Sequence, residues 1–293
     1  MILFADSGST KTKWGLVGSD ATVSYCTTGG MNPFYLGLED MLHLLEVEFL
    51  LPRAGIAEIW FYGAGCTQLE NKRLVTGALS LFFNKPKIHV NTDLLLAAQS
   101  LCDNRPGIAC ILGTGSNSCY YDGNKIINNV PPLGYVLGDE GSASVLGRRL
   151  ISDILKKQMS KEICKLFFNS YRISADDILD SVYRKPFPNR YLAQFAKFIS
   201  KNLSYPEMQT LARACLSDFF KRNVLQYRRV YLEPVHFTGS VAFHFRELIS
   251  EITGEFGIRL GKINNEPLNN LIERKINNGE LKEKILELST LKK

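Results

Sequence analysis

Apolar and polar positions follow the same order in two stretches of the chain. Residues 1–5 and the run that begins at Trp14 are apolar and flank a short polar turn, which predicts a β-hairpin. A third strand is predicted at residues 22–27. The order of strand, turn, strand, turn and strand recurs in the second half, at residues 107–112, 117–121 and 125–129. This recurrence predicts a duplicated α/β architecture.

Helical spacing of apolar residues predicts helices between and after these strands. In the first half they fall at residues 36–51, 68–83 and 94–102, with strands at 59–63 and 87–91. Later helices are predicted at 142–158, 161–170, 175–183, 190–202, 206–227, 267–277 and 280–291, with strands at 228–232, 235–238 and 256–262. In the last helix one side carries Leu281, Ile285, Leu288 and Leu291. Hairpin strands followed by crossover helices imply mixed sheets with helices on both faces.

The length of 293 residues accommodates two domains. We predict an N-terminal domain at 1–106, a second domain with a helical insertion at 107–277, and a C-terminal helix at 278–293 that packs back on the first domain. The net charge of +6 is spread along the chain, which favours small anions such as nucleotides over nucleic acid. Seven cysteines without a CxxC motif and no apolar run of membrane length predict a cytoplasmic protein that binds no membrane.

The first turn combines a carboxylate with small residues. Asp6 precedes Ser7, Gly8, Ser9, Thr10, Lys11 and Thr12. Backbone N–H groups and hydroxyls in such a loop can cradle phosphate oxygens, and the carboxylate can hold a divalent metal. An ordinary polar hairpin turn is the alternative, because short Gly/Ser motifs are weak signals.

Similar turns recur later in the chain. Gly113, Thr114, Gly115 and Ser116 follow the first strand of the second half, and Gly239 and Ser240 follow the strand at 235–238. The loops at 7–12 and 113–116 stand in corresponding places of the two halves, which suggests a cleft whose two sides both contact phosphates. Asp139 and Glu140 lie in a glycine-flanked turn, where they could cap a helix, approach a metal or bind a polyhydroxylated substrate.

Two polar residues stand where strands or turns end. Asp93 lies between a strand and a helix, the position that faces the ligand crevice of open α/β sheets. A helix cap is the alternative interpretation. Asn32, in a Gly-Gly-x-Asn-Pro turn, is suited to a sugar hydroxyl or to capping the following helix.

With these turns in this order, the chain resembles the N-acetylglucosamine kinase group and the related benzoyl-CoA-reductase-type ATPase domains of the actin-like ATPase and sugar-kinase superfamily. The resemblance implies two ribonuclease H-like domains with mixed five-stranded sheets around an interdomain cleft that binds ATP and Mg²⁺. It makes Asp93 the general base on the acceptor hydroxyl, while Asp6 stays the candidate from the first turn that holds the metal, directly or through water. It assigns the sugar to Asn32, Asp139 and the stretch around Gly134 and Tyr135. It gives phosphate contacts to the loops at 7–12 and 113–116, and adenosine contacts to Gly239 and Ser240.

Departures from the family pattern refine this expectation. The zinc motif of repressor-type sugar kinases and the cluster-binding cysteine pair of dehydratase activators are absent, which favours a hexosamine kinase. Asn269 and Asn270 stand where relatives have small residues, which questions the nucleotide geometry there. The expected activity is ATP-dependent phosphorylation of the 6-hydroxyl of an amino sugar, N-acetylglucosamine first. A partner-energising ATPase and a sugar- or nucleotide-sensing module are the alternatives. The sequence leaves the exact sugar and a homodimeric state open.

Overall fold

The computed structural model describes residues 1–290, without the side chains of 286–290. The chain forms two compact units, one of Met1–Asp103 with the segment from Glu266 onward, the other of Asn104–Asn265. The predicted end of the second domain at residue 277 is therefore displaced, since the helix at Pro267–Asn277 belongs to the first unit. Asn269 lies in that helix, so the departure noted there does not fall in the second unit.

The strands and helices mostly match the predicted segments. The strands are β1 (Ile2–Ser7), β2 (Lys11–Val17), β3 (Val23–Gly29), β4 (Glu58–Gly63), β5 (Lys87–Thr92), β6 (Pro106–Leu112), β7 (Ser116–Asp122), β8 (Ile126–Val130), β9 (Val235–Thr238) and β10 (Leu260–Asn264). The helices are α1 (Leu38–Glu48), α2 (Leu69–Phe82), α3 (Asp93–Cys102), α4 (Gly134–Leu137), α5 (Ala143–Leu155), α6 (Lys161–Tyr171), α7 (Ala175–Tyr183), α8 (Pro188–Ala193), α9 (Ala196–Lys201), α10 (Pro206–Arg222), α11 (Ser240–His244), α12 (Arg246–Glu255), α13 (Pro267–Asn277) and α14 (Glu280–Thr290). Of the last predicted helix, Leu291 and the side chain of Leu288 lie outside the described residues.

Two predicted strands differ from the structure. Residues 228–232 form turns, because the amides of Leu232 and Glu233 bond to the carbonyl of Arg229. The predicted strand at 256–262 begins only at Leu260, since residues 256–258 still donate to carbonyls of α12. In both places aromatic and β-branched residues gave a strand signal that local backbone hydrogen bonds override.

Both units contain the same mixed five-stranded sheet. The first has the order β3-β2-β1-β4-β5, and the second the order β10-β9-β6-β7-β8. In each, the hairpin strands are antiparallel and the remaining pairs are parallel. The fold is therefore the predicted duplicated α/β architecture.

Alternation along β1 explains how the first sheet is covered on both faces. Leu3 and Ala5 pack in the core that includes Trp14 and helices α1 and α2. Ile2 and Phe4 face the opposite core, which contains apolar residues of α3, α13 and α14. Because successive strand residues point to opposite faces, a nearly continuous apolar strand is what a doubly covered sheet requires. Leu281 of α14 is buried in this second core.

Candidate active site

The first unit brings its two candidate carboxylates to one edge of the sheet. Ser7, Gly63 and Thr92 are aligned across the parallel strands β1, β4 and β5. Asp6 lies just before this row and Asp93 just after it. Two strand spacings of about 4.8 Å separate β1 from β5, so the backbones at these positions are roughly 10 Å apart. The predicted position of Asp93 between a strand and a helix agrees with this register.

The Asp6 carboxyl is electrostatically perturbed. Its pKa is raised to about 7, mainly by burial and secondly by the charge of Asp93, against the opposing effect of Lys11 and Lys13. Among the described residues the Asp6 carboxylate has no hydrogen-bond partner. A buried carboxylate without a partner, facing a second acid, is an environment that a divalent cation would stabilise.

Asp93 is the first residue of α3. The helix cap is Thr92, whose hydroxyl accepts from the amide of Leu95 at 3.2 Å, so the capping alternative for Asp93 is not needed. Burial raises the pKa of Asp93 to about 6, although its carboxylate accepts a hydrogen bond from the amide of Leu94 at 2.9 Å. An acid with a pKa near neutrality is suited to general-base catalysis.

Several hydroxyl and amide groups of the loop at residues 7–12 bond to other groups of the same sheet. The hydroxyls of Ser7 and Thr12 lie 2.8 Å apart and are buried, and that of Thr12 donates to the carbonyl of Gly29. The amide of Gly8 donates to the carbonyl of Lys11. These groups close the hairpin and are already hydrogen-bonded. At the tip of the loop, Thr10 and Lys11 are exposed, whereas Ser7 and Thr12 are buried.

Asn32 connects this loop to the turn after β3. Its amide nitrogen donates to Ser9 Oγ at 2.9 Å, and its oxygen accepts from the amide of Phe34 at 3.0 Å. Helix α1 begins after Gly37, so Asn32 does not cap it. A Cβ at Gly30 would lie 2.4 Å from the Gly8 carbonyl oxygen, which explains why the adjoining turn needs glycine. The 9–10 loop and the 30–34 turn thus form one rigid piece.

In the second unit, the loop at 113–116 lies against the start of α5. The carbonyl of Gly113 accepts from the amide of Ala143 at 2.8 Å, and that of Thr114 from the amide of Ser144 at 3.1 Å. The amide of Gly113 donates to the carbonyl of Gly115. The sequence indicated the loop, but it gave no signal that Ser144 would fix its backbone.

Asp139 is joined to the same loop. Its carboxylate accepts from the amide of Ser116 at 3.2 Å. The pKa of Asp139 is raised to about 6, mainly by burial, with the Ser116 amide lowering it and the charge of Glu140 raising it. The structure therefore brings Asp139 together with the predicted second phosphate loop.

Gly134 and Tyr135 begin the short helix α4, a few residues before Asp139. The amide of Asp139 donates to the carbonyl of Pro132 at 2.9 Å, which closes this segment into a loop. The guanidinium of Arg148 donates to the carbonyl of Tyr135 at 2.8 Å. Leu133, Val136 and Leu137 are exposed apolar residues of the same segment.

Gly239 and Ser240 lie between β9 and α11, close to the same loop. A Cβ at Gly239 would lie 2.4 Å from the carbonyl oxygen of Leu112, and its φ of +104° is unfavourable for other residues. This close approach places the end of β9 beside the end of β6.

The side chains of the site fit a magnesium ion that takes only some of its ligands from the protein. Among residues 1–290, no group of three or more His, Cys, Asp or Glu side chains could hold a metal. Mg²⁺ is commonly bound by one or two carboxylates together with substrate phosphates and water. Asp6 fits that role. No helix within the described part of the chain is long and apolar enough to cross a membrane.

Solved structures similar to this chain include sugar kinases and proteins named as such. A protein of Porphyromonas gingivalis, provisionally named an N-acetylglucosamine kinase, is 44% identical with a TM-score of 0.90, over 95% of this chain and 99% of that one. A provisionally named N-acetylglucosamine kinase of Chromobacterium violaceum is 20% identical with a TM-score of 0.70, over 92% and 97% of the two chains. A glucokinase of the ROK family from Streptomyces griseus, solved with glucose and AMPPNP, is 14% identical with a TM-score of 0.54, over 92% and 96%. Neither a protein-family model nor a curated protein matches the chain.

The duplicated fold and these likenesses define a sugar kinase of the actin-like ATPase fold. The chain belongs to the N-acetylglucosamine kinase group of that superfamily.

Proposed function

We propose that this protein transfers the γ-phosphate of ATP to the 6-hydroxyl of an amino sugar, with N-acetylglucosamine as the first candidate. The observation that carries the proposal is the position of Asp93. Asp93 is the first residue of α3, at the same carboxyl edge of the first sheet as Asp6 and the 7–12 loop. The pKa of its carboxyl is raised to about 6. The 44% identical relative, which carries the name of such a kinase, supports the same assignment.

We assign the proton transfer to Asp93. Its ionised carboxylate accepts the proton of the sugar hydroxyl as that oxygen attacks the γ-phosphorus, and ADP leaves. With a pKa of about 6, the group is ionised at neutral pH yet basic enough to take the proton. Asn32 and Asp139 hold the sugar, and Gly134 and Tyr135 contribute backbone groups.

Phosphoryl transfer depends mainly on alignment and charge neutralisation, so the remaining residues bind and orient. We assign phosphate contacts to Ser9, Thr10 and Lys11 in the first unit and to residues 113–116 in the second. Asp6 would hold Mg²⁺, which neutralises phosphate charge when bound. Gly239 and Ser240 are assigned to the adenosine side.

The test measures ATP consumption with N-acetylglucosamine, glucosamine, N-acetylmuramate and glucose, and identifies each product by NMR. We expect sugar-dependent release of ADP with a 6-phosphosugar. A 6-deoxy analogue of N-acetylglucosamine is the matched control, because it should compete for binding but yield no product. ADP release without a phosphosugar would instead indicate an ATPase, and ligand-induced stabilisation without any turnover would indicate a sensor.

A further inference from the structure

Glu140, next to Asp139, is held from a distant part of the second unit. Its Oε1 accepts from the Nε of Arg222 at 2.7 Å, and its Oε2 accepts from the Nδ2 of Asn223 at 3.2 Å. Asn223 is 3% exposed and follows α10 directly, where its own amide bonds to the carbonyl of Phe219. Both carboxylate oxygens of Glu140 are therefore fixed to the end of one helix.

The turn that contains Glu140 is also fixed on its other side. Asp139 receives the amide of Ser116, while its own carbonyl accepts from the amide of Ser142 at 3.1 Å. The hydroxyl of Ser142 lies 2.9 Å from that of Ser144, whose amide bonds to Thr114. The turn at 138–142 thus connects the end of α10 to the 113–116 loop.

Asp139 itself has an unfavourable backbone. Its φ of +53° lies in the left-handed region, and Gly141 follows with a φ of +70°. A non-glycine residue in this region needs support from its surroundings. The hydrogen bonds of Glu140 supply support at the position between these two residues.

We propose that Glu140 is a positioning residue, which with Arg222 and Asn223 holds the Asp139 carboxylate in place for the sugar. The inference rests on the proposed function, because it takes Asp139 to be a sugar contact. It assigns a role in sugar binding to a pair of residues more than 80 positions away from Asp139 in the sequence.

The charge of Glu140 gives this role a distinctive signature. Glu140 raises the pKa of the Asp139 carboxyl, in addition to the larger effect of burial. The charged residues Arg148, Asp218 and Arg222 line the same cavity of about 220 Å³ as Glu140. Removing the negative charge of Glu140 should therefore lower the pKa of Asp139, whereas removal of Arg222 leaves that charge in place.

The experiment compares Glu140→Gln with Arg222→Gln in the full chain. Both variants loosen the turn, so the KM for the sugar should rise roughly 10-fold in each, with kcat changed less, because misplacement of a binding group weakens substrate alignment. The acid limb of the KM profile should move to lower pH in Glu140→Gln, which removes the charge that raises the pKa of Asp139, and should stay near that of the wild type in Arg222→Gln. A merely structural role predicts the same pH profile in both variants.

Glu233→Gln is the matched control. The Glu233 side chain is 15% exposed, as is that of Glu140, and it pairs with Arg229 at 2.6 Å. Its ion pair with Arg229 lies outside the 138–142 turn, so we expect the KM and the pH profile of the wild type. Equal effects in Glu233→Gln and Glu140→Gln would overturn the proposal.

Hydrogen exchange separates this inference from the proposed function. Peptides that cover residues 113–118 and 138–146 should exchange faster in Glu140→Gln than in the wild type, with or without any substrate. Unchanged exchange in Glu140→Gln would refute the positioning role. If the wild type phosphorylates a sugar, an unchanged KM in Glu140→Gln would refute it as well. If the wild type phosphorylates no sugar, the proposed function fails, while the exchange measurement still decides whether Glu140 orders the turn.

Discussion

Replacing Asp93 by Asn should remove activity and stabilise the protein at the same time. The Asp93 carboxyl has a pKa of about 6 in the folded chain against its ordinary value of 3.8, and burial is the main cause. At about 1.4 kcal/mol per pH unit, this shift means that ionising Asp93 opposes folding by up to about 3 kcal/mol. Asparagine keeps the shape and can still accept the hydrogen bond from Leu94, but it carries no charge.

The sign of the pH dependence follows from proton binding. Below pH 3.8 the carboxyl is protonated in both states, so it contributes nothing. Between 3.8 and about 6 the folded chain binds the proton more tightly, so the free energy of unfolding falls as the pH rises. Above that range the full penalty is present. The charge of Asp93 also raises the pKa of Asp6, so the substitution relieves a second unfavourable interaction.

Urea unfolding at a series of pH values measures this effect. Asp93→Asn should be more stable than the wild type at pH 7.5 by about 1–3 kcal/mol, and the difference should vanish towards pH 4. Its sugar-dependent turnover should fall roughly 10²–10⁴-fold, with ATP binding nearly unchanged. Asp122→Asn is the control of opposite sign, because amides of Asn124 and Lys125 lower the pKa of Asp122. An Asp93→Asn protein that is less stable at pH 7.5, or fully active, would refute the reasoning.

Three further changes test other parts of the structure. Gly239→Ala should lower the free energy of unfolding by about 2–4 kcal/mol, because its φ is +104° and the new Cβ would meet the Leu112 carbonyl; thermal unfolding checks this, and an unchanged midpoint contradicts it. Lys284→Met should loosen α14 by about 1–2 kcal/mol, since Lys284 Nζ lies 2.9 Å from the buried Glu58 carboxylate; hydrogen exchange of α14 should then accelerate, while unchanged exchange would exclude a docking role. Asp6→Asn should weaken the Mg²⁺ dependence of turnover, and a titration with MgCl₂ that matches the wild type would remove Asp6 from metal binding.

Much of the fold could be predicted because hydrophobic periodicity repeats along the chain. The two hairpins and their following strands gave the duplicated sheet, and the order of strands placed Asp93 at a carboxyl edge. The boundary between the two units was harder to predict from the sequence. Helix α13 follows the second unit in sequence, but its apolar face packs with Ile2 and Phe4 of the first unit. No local pattern distinguishes a helix that closes one unit from a helix that returns to another.

The positions of the loops were easier to predict than the contacts of their individual groups. Ser7 and Thr12, predicted as phosphate contacts from the small-residue turn, are cross-strand partners whose hydroxyls bond to each other. Only the hairpin register shows that both are buried. The bond of Glu140 to Arg222 was equally hidden, because it joins two elements that are distant in sequence. Small-residue turns indicate candidate loops, whereas strand register and packing decide which of their atoms are already hydrogen-bonded.

Asp6 and Asp93 lower the stability of the first unit when they are ionised. The carboxyl edge of a parallel sheet fixes Asp6 and Asp93 near each other, and burial raises the pKa of both. Folding alone favours their protonated forms, whereas the proposed catalysis needs Asp93 ionised. The backbone hydrogen bonds of β1, β4 and β5 maintain the arrangement despite this repulsion. A bound cation would reduce the repulsion, so the proposed metal role of Asp6 and the proposed base role of Asp93 support each other physically.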